Sequence, residues 1–427
     1  MPSLRFFMLY WLYSILYAAA LAVLLPFQYF KRSGPLRKRW LHERFGFYAG
    51  QHSSRHLWIH AVSVGEVIAA VPLIEKIKQR HPSLRIIIST VTDTGQKIAR
   101  DKAGAYAEII YVPFDLPFAV RNALHHIRPF AFVIMETELW PCVIKMLKES
   151  NVPVILMNGR LSERSYNRYR KSIFFIGDVL RNINLLCVQD DNYAGRFTAL
   201  GAMPERIKVI GSFKFDTRPS SDVPQWAETL CRPVIIAAST HETEEDLVLD
   251  AFVQLKEVIP GLNLIIAPRH PERFSSVETL VKKKGLECLK RSEFANGREE
   301  TQIRGKSGVV VLLDVMGELS AVYGAVDIAI MGGSFIKHGG QNPLEAAFWG
   351  KAIVCGPHME NFYFIEEFYS RGGAVSAEGR LLYSVLKEML ASPGEVQRMG
   401  NIAKEIFEKN SGATDRAMEL IEQYLIK

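Results

Sequence analysis

The sequence predicts an α/β protein of two successive doubly wound domains behind an apolar N-terminal anchor, and three observations carry that prediction. Short apolar runs alternate with helix-period segments along most of the chain, the pattern of parallel sheets covered by helices. Near the middle, TRPSSDVPQ at Thr217–Gln225 breaks the rhythm with Pro, Ser and Asp and reads as a linker. The length of 427 residues exceeds the size at which a single core stops growing, so two domains are the default.

The first element is the anchor, residues 1–30. No charged side chain occurs from Phe6 to Phe30, a stretch long enough to span a bilayer with some tilt. Lys31, Arg32, Arg37, Lys38 and Arg39 follow it, whereas only Arg5 and the amino terminus precede, so the positive-inside rule puts the body in the cytoplasm. A cleaved signal peptide is disfavoured, because the apolar core is long and the basic charge lies after it. The closer rival is a helix lying in the membrane interface, since the stretch ends in Pro26 and Gln28. The formal charge of +7 hides an asymmetry: residues 1–220 carry 30 Lys+Arg against 16 Asp+Glu, and the remainder carries 22 against 29. Behind such an anchor, a basic half suits an anionic membrane surface better than nucleic acid. Five scattered cysteines without a C-x-x-C pair fit reduced thiols, not a disulfide scaffold or zinc site.

The first domain, residues 31–216, holds candidate strands at 57–62, 84–90, 109–113, 130–135, 152–157, 185–188 and 207–210. Helical segments at 67–79, 118–127 and 191–200 lie between them. The second, residues 226–400, holds strands at 233–238, 262–267, 309–313, 327–331 and 352–355. A closing helix is expected near Asn401–Ile426 within a terminal segment 401–427. Ligands of such sheets bind beyond the carboxyl ends of the strands, so βα loops of both lobes are expected to line an interlobe cleft. The chain has no internal repeat, no P-loop signature and no G-x-G-x-x-G, which argues against a nicotinamide or flavin cofactor.

Those loops hold the candidate chemistry. In WIHAVSVGE, Ser63, Gly65 and Glu66 stand between a strand and a helix, where Glu66 suits a general base or, equally, a first-turn glutamate at the helix dipole. In VIMETELWP, Glu136 and Glu138 would share one face of an extended backbone. Arg164, Arg168 and Lys171 recur at helical spacing, a solvated face or a dock for a phosphorylated lipid and the membrane. Further on, Ala237–Thr240 with His241, Ala267–His270 and Asp314–Leu319 each follow a strand, so they gather at one sheet edge. Arg269 there suits a phosphate, and the Gly317 turn lets amides face a ligand. The segment Met331–Pro357 reads as strand, glycine loop and helix start, with Asn342 as N-cap, Pro343 in the first turn and Glu345 available to sugar hydroxyls. The acidic run at Glu242, Glu244, Glu245 and Asp246 reads as first-turn helix charge. His52, His56 and His60 span a loop and a strand, so no metal site is expected.

Taken in order, ERFGFY, HAVSVGE, METELWP, NGRLSERS, GSFKFD, STHETEE, PRHPERF, DVMGEL and GGSFIKHGGQNPLEAA strongly resemble the motifs of the Kdo (3-deoxy-D-manno-octulosonic acid) transferases of lipopolysaccharide inner-core synthesis. That resemblance, covering nearly the whole chain, implies a GT-B fold of two Rossmann-like lobes, CMP-Kdo as donor and a lipid A precursor as acceptor. It also implies inverting transfer without metal or other cofactor, and a body on the cytoplasmic side of the inner membrane. Glu66 matches the family's general base. Pro268, Arg269, Met316, Gly317, Glu318, Asn342, Pro343, Leu344 and Glu345 match its CMP-contacting segments, and Glu136, Lys214 and His241 lie in matching motifs. Gln341 stands where the family commonly has the histidine of GGHN, and Gly159 where NARLS has alanine. The alternatives are a GT-B enzyme for another nucleotide sugar and a non-catalytic two-lobed binding protein. Nucleic acid is not an expected partner.

Overall fold

In the computed structural model, residues 4–49, 55–216, 219, 222–294 and 303–425 are described, with side chains from residue 7 onward. Thr217, Arg218, Ser220 and Ser221 of the expected linker, and His52, lie outside the described residues. The chain divides into two units, Met1–Thr217 with Ser411–Lys427, and Arg218–Asn410.

The first unit holds a sheet of seven parallel strands: β1 (His56–His60), β2 (Ile86–Thr90), β3 (Glu108–Tyr111), β4 (Pro129–Met135), β5 (Val154–Gly159), β6 (Leu185–Val188) and β7 (Ile207–Val209). Their order is β3-β2-β1-β4-β5-β6-β7, with Ile59 aligned between Ile88 and Val133. Central strands such as Leu57–Ile59 and Phe132–Met135 are fully buried and continuously apolar, as a parallel sheet covered on both faces requires. The second unit repeats the scheme with β8 (Val234–Thr240), β9 (Asn263–Pro268), β10 (Cys288–Lys290), β11 (Val310–Leu312), β12 (Ile328–Met331), β13 (Ala352–Cys355) and β14 (Ala374–Ser376), ordered β10-β11-β9-β8-β12-β13-β14. In each sheet the chain reverses its direction of winding once at the centre, between β1 and β4 and between β8 and β12. Those switch points are where doubly wound sheets leave a crevice for ligands.

The N-terminal helix, Leu4–Phe30, forms as expected, but it lies along the first unit for most of its length. Tyr10, Tyr13, Ser14, Tyr17, Leu21, Leu25 and Tyr29 make the stripe turned to the domain. Tyr10 Oη donates to Asp178 Oδ2 (3.1 Å), Tyr13 Oη to Asp115 Oδ2 (2.7 Å), and Ser14 Oγ lies 3.4 Å from Cys142 Sγ. The opposite face, including Trp11, Ile15, Leu16, Val23 and Phe27, is exposed and apolar. The basic cluster after the helix is less free than its sequence suggests. Arg32 is buried and paired with Asp93 at 3.0 Å, Arg39 pairs with Glu43, and the Arg37 guanidinium sits 5.0 Å above the Tyr29 ring.

The expected single closing helix is two. Pro393–Asn410 belongs to the second unit, and Ala413–Leu425 packs on the first. Between them Gly412 takes φ of 87°, and the Asp216 carboxylate accepts from the backbone N–H groups of Gly412 and Thr414, capping the last helix.

Candidate functional site

In the first unit the candidate residues gather at the β1/β4 switch point. Ser63 is the N-cap of the helix Val64–Arg80: its Oγ accepts from Glu66 N (3.3 Å) and donates to Glu66 Oε1 (2.9 Å), while Val62 N donates to Glu66 Oε2 (2.8 Å). SVGE is therefore a variant of the capping box, Ser at the N-cap and Glu three residues on, with the glutamate reaching the N–H one residue before the cap. That local geometry fixes the carboxyl group in place. Burial, and secondarily the negative charges of Glu136 and Glu138, push it up to about 7 against the opposing pull of the Val62 and Ser63 hydrogen bonds. A carboxylate titrating there is matched to proton abstraction at neutral pH.

Glu136 and Glu138 do not share a strand face, because β4 ends at Met135. Glu136 turns with φ of 57°, a left-handed conformation unfavourable to glutamate. The turn nevertheless brings both carboxyl groups within electrostatic reach of Glu66. Glu136 Oε2 forms an ion pair with Arg160, 3.0 Å from its Nε. Lys214, in the 3-10 turn Phe213–Asp216, is held below the usual lysine range by burial first and then by the Arg160 charge, partly offset by Glu136. Beside this group opens a cavity of about 350 Å³ walled by Glu138, Trp140, Arg160, Ser165, Arg168 and Tyr169. Of the expected basic stripe, only Arg168 lines it; Arg164 and Lys171 are exposed on the same helical segment, away from that wall. His56 and His60 are core histidines. His60 Nδ1 sits 2.9 Å from Ser89 Oγ, and burial pushes its pKa down to about 3.

In the second unit the loops after β8, β9 and β12 converge. The His241 and His338 rings lie 4.3 Å apart, His270 is 5.6 Å from His241, and Gln341 Nε2 is 3.0 Å from His241 Nε2. The amide nitrogen can only donate, so His241 Nε2 accepts and the imidazole is neutral with its proton on Nδ1. Burial and the neighbouring His338, His270, Arg269 and Arg273 push it down to about 4, which agrees. Arg269 donates its backbone N–H to Thr240 O, and its exposed guanidinium is free of ion pairs among the described residues. Glu345 is half-buried and raised by desolvation.

Three details differ from expectation. The helix after the glycine loop is only Leu344–Phe348, and Pro343 precedes it; Asn342 Oδ1 accepts from Leu344 N (3.2 Å). Five residues carry little macrodipole, so the helix end adds little field at the loop. Glu318 is already committed, accepting from Arg291 Nε (2.9 Å) and Trp226 Nε1 (3.2 Å), which makes it a brace of the Gly317 turn. Glu244 does more than complement a helix dipole: buried, it accepts from His241 N, Gly333 N and Phe335 N and ties the β8 loop to the β12 loop. The acidic run in HETEED is the only sign of that role in the sequence. Gly332 makes the close approach possible, since a Cβ there would lie 2.3 Å from Ser239 O.

Residues 39–217 match the family model described as 3-deoxy-D-manno-octulosonic-acid transferase (kdotransferase). Over 402 residues, 92% of this chain and 92% of the relative, the sequence is 35% identical to the 3-deoxy-D-manno-octulosonic acid transferase of Haemophilus influenzae. The chain belongs to the Kdo transferase family. It is also 30% identical to the Bordetella pertussis Kdo transferase over 86% of this chain and 87% of that one. The fold is GT-B: Acinetobacter baumannii MurG superposes with a TM-score of 0.55 at 12% identity, covering 87% of this chain and all of that one. As a Kdo transferase, the chain is a glycosyltransferase of lipopolysaccharide synthesis.

Its two departures from the motifs have structural counterparts. At Gly159 a Cβ would meet Leu156 Cδ2 at 2.4 Å, so alanine here requires that leucine to move. Gln341 makes through its amide the contact to His241 described above.

Proposed function

We propose that this Kdo transferase moves Kdo from CMP-Kdo to a lipid A precursor, a tetra-acyldisaccharide bisphosphate, in one inverting, metal-independent displacement. The observation that carries the reading is Glu66, held in the capping box with its carboxyl pushed up to about 7. Glu66 takes the proton of the acceptor hydroxyl as that oxygen attacks the anomeric carbon of Kdo and the bond to CMP breaks; the electron pair leaves on the CMP phosphate. A single displacement inverts the anomeric centre and uses no protein nucleophile. Charge on the departing phosphate falls to Arg269 and the loop amide of Gly339, with Pro268, Met316 and Gly317 beside the nucleotide and Glu345 on its ribose. The basic, hydroxyl-lined cavity at Arg160, Ser165 and Arg168 takes the phosphorylated disaccharide.

The N-terminal helix lies in the cytoplasmic leaflet of the inner membrane, its outer face in the acyl region and the body in the cytoplasm. A helix packed along a polar domain for most of its length is better suited to lie in a leaflet than to cross it. Incubating the purified chain with CMP-Kdo and the tetra-acylated precursor, and weighing the lipid product, tests the assignment. Kdo-extended lipid with inverted anomeric configuration, undiminished in EDTA, is expected. Transfer from a UDP-sugar in place of CMP-Kdo would overturn the donor, and EDTA-sensitive transfer the metal-free mechanism.

A further inference from the structure

Behind the N-terminal helix, away from the site just described, lies a second cavity of about 130 Å³. Leu21, Leu24 and Leu25 form its apolar side, and Arg32, Trp40 and Arg44 its polar side. Arg44 is the unusual member. It is 6% exposed, and of its five donors Nη1 alone has an acceptor, the Val112 carbonyl at 2.8 Å. Its guanidinium lies 4.3 Å over the Phe114 ring, and Nε is buried without an acceptor. The carboxylates nearby are otherwise engaged: Asp93 with Arg32 and Tyr111, Glu43 with Arg39 and Tyr111 N, Asp115 with Tyr13 and the N–H groups of Cys142 and Val143. None is within ion-pair distance of Arg44 among the described residues. The Trp40 indole N–H, 3% exposed and stacked under Arg32 at 4.1 Å, is likewise without an acceptor. Arg44 is a buried guanidinium without an ion pair, walled by leucines, and lacks one thing: an anion attached to something apolar.

We infer that this cavity holds the phosphodiester of an anionic glycerophospholipid, with an acyl chain laid along Leu21, Leu24 and Leu25. The inference rests on the reading that the helix lies in the bilayer. The volume fits a headgroup phosphate, being slightly less than a cavity of about 150 Å³ that takes a benzene ring. Leu24, exposed on the outer face, marks where the acyl chain leaves for the membrane. A lipid held there fixes the depth and roll of the helix, and with it the position of the body against the leaflet.

The test uses the full chain in neutral detergent micelles doped with POPG or POPC, with native mass spectrometry counting retained lipid and a thermal midpoint reporting stabilisation. Wild type should retain one POPG, preferred over POPC about tenfold or more, the effect of a charge-assisted hydrogen bond to a buried arginine. Arg44→Gln should lose that preference. Because Arg44→Gln also alters the interior, Leu25→Phe provides the second arm: it leaves the guanidinium intact, fills the apolar side and should abolish POPG retention with Kdo transfer unchanged. Equal retention of POPG and POPC by wild type, or full POPG retention by Leu25→Phe, overturns the inference. So does a midpoint shift of the same size from inorganic phosphate, which would make the cavity a free-anion site. A chain that ignores vesicles of every composition overturns the membrane reading itself, whereas vesicle binding without POPG preference overturns the cavity alone.

Discussion

Glu66 serves two ends with one carboxyl group, and the two are separable because glutamine also closes a capping box. Glu66→Gln should fold and bind CMP while turnover falls by about two to four orders of magnitude, the range of general-base catalysis; single-turnover assays beside CMP calorimetry decide it. The wild-type rate should fall about tenfold per unit below pH 7, since only the ionised base accepts a proton. Stability moves the other way. A folded pKa raised to about 7 means the native chain binds the extra proton, so wild type loses stability as pH climbs from the unfolded carboxyl range through 7. Glu66→Gln escapes that loss and should gain about 3 kcal/mol relative to wild type between acidic and alkaline conditions, read from urea midpoints. At the other site, Arg269→Ala should weaken CMP about tenfold to hundredfold by calorimetry. Glu318→Ala should cost stability first, because its carboxylate already braces Arg291 and Trp226.

Among the elements, the loops after β8 and β12 meet through two devices, the buried Glu244 carboxylate and the missing Cβ of Gly332. Gly332→Ala should destabilise the second unit by about 1–3 kcal/mol, the usual cost of overpacking, with a matching loss of CMP affinity as the loops part; denaturant melts of the second unit check it. The twelve expected strands could be read from the sequence because parallel strands buried on both faces are continuous apolar runs. The two missed, β10 and β14, are three-residue edge strands half wet on one side, whose Cys288–Lys290 and Ala374–Ser376 have no such signal. Ser63, Gly65 and Glu66 were legible because strand, cap and helix are adjacent in sequence. The partnership of Glu136 with Arg160, and of His241 with Gln341, was not, because each joins loops that only the sheet order brings together. The break at Gly412 is invisible in the sequence because the apolar period of the two closing helices runs through it almost undisturbed.

At the scale of the whole molecule, the N-terminal helix presents two faces that mutation can separate. Trp11→Asp with Ile15→Asp should release the chain from anionic vesicles with little change in melting temperature, since both side chains are exposed. Tyr13→Phe should leave vesicle binding intact and cost about 1 kcal/mol or more, having removed the donor to buried Asp115. Replacing Arg164, Arg168 and Lys171 with alanine should raise KM for the lipid acceptor and leave that for CMP-Kdo unchanged, with Arg168 alone accounting for most of the effect because it alone lines the cavity. The return of Ala413–Leu425 to the first unit has a consequence in time. Ala417, Met418 and Ile421 complete a core begun by Val67, Leu73 and Ile74. The ribosome must add roughly 190 residues of the second unit before that helix emerges, about 10–40 s at ordinary synthesis rates. Through that interval the earlier-made sheet carries an uncovered apolar patch, so removing Ala413–Leu425 should injure the domain made first.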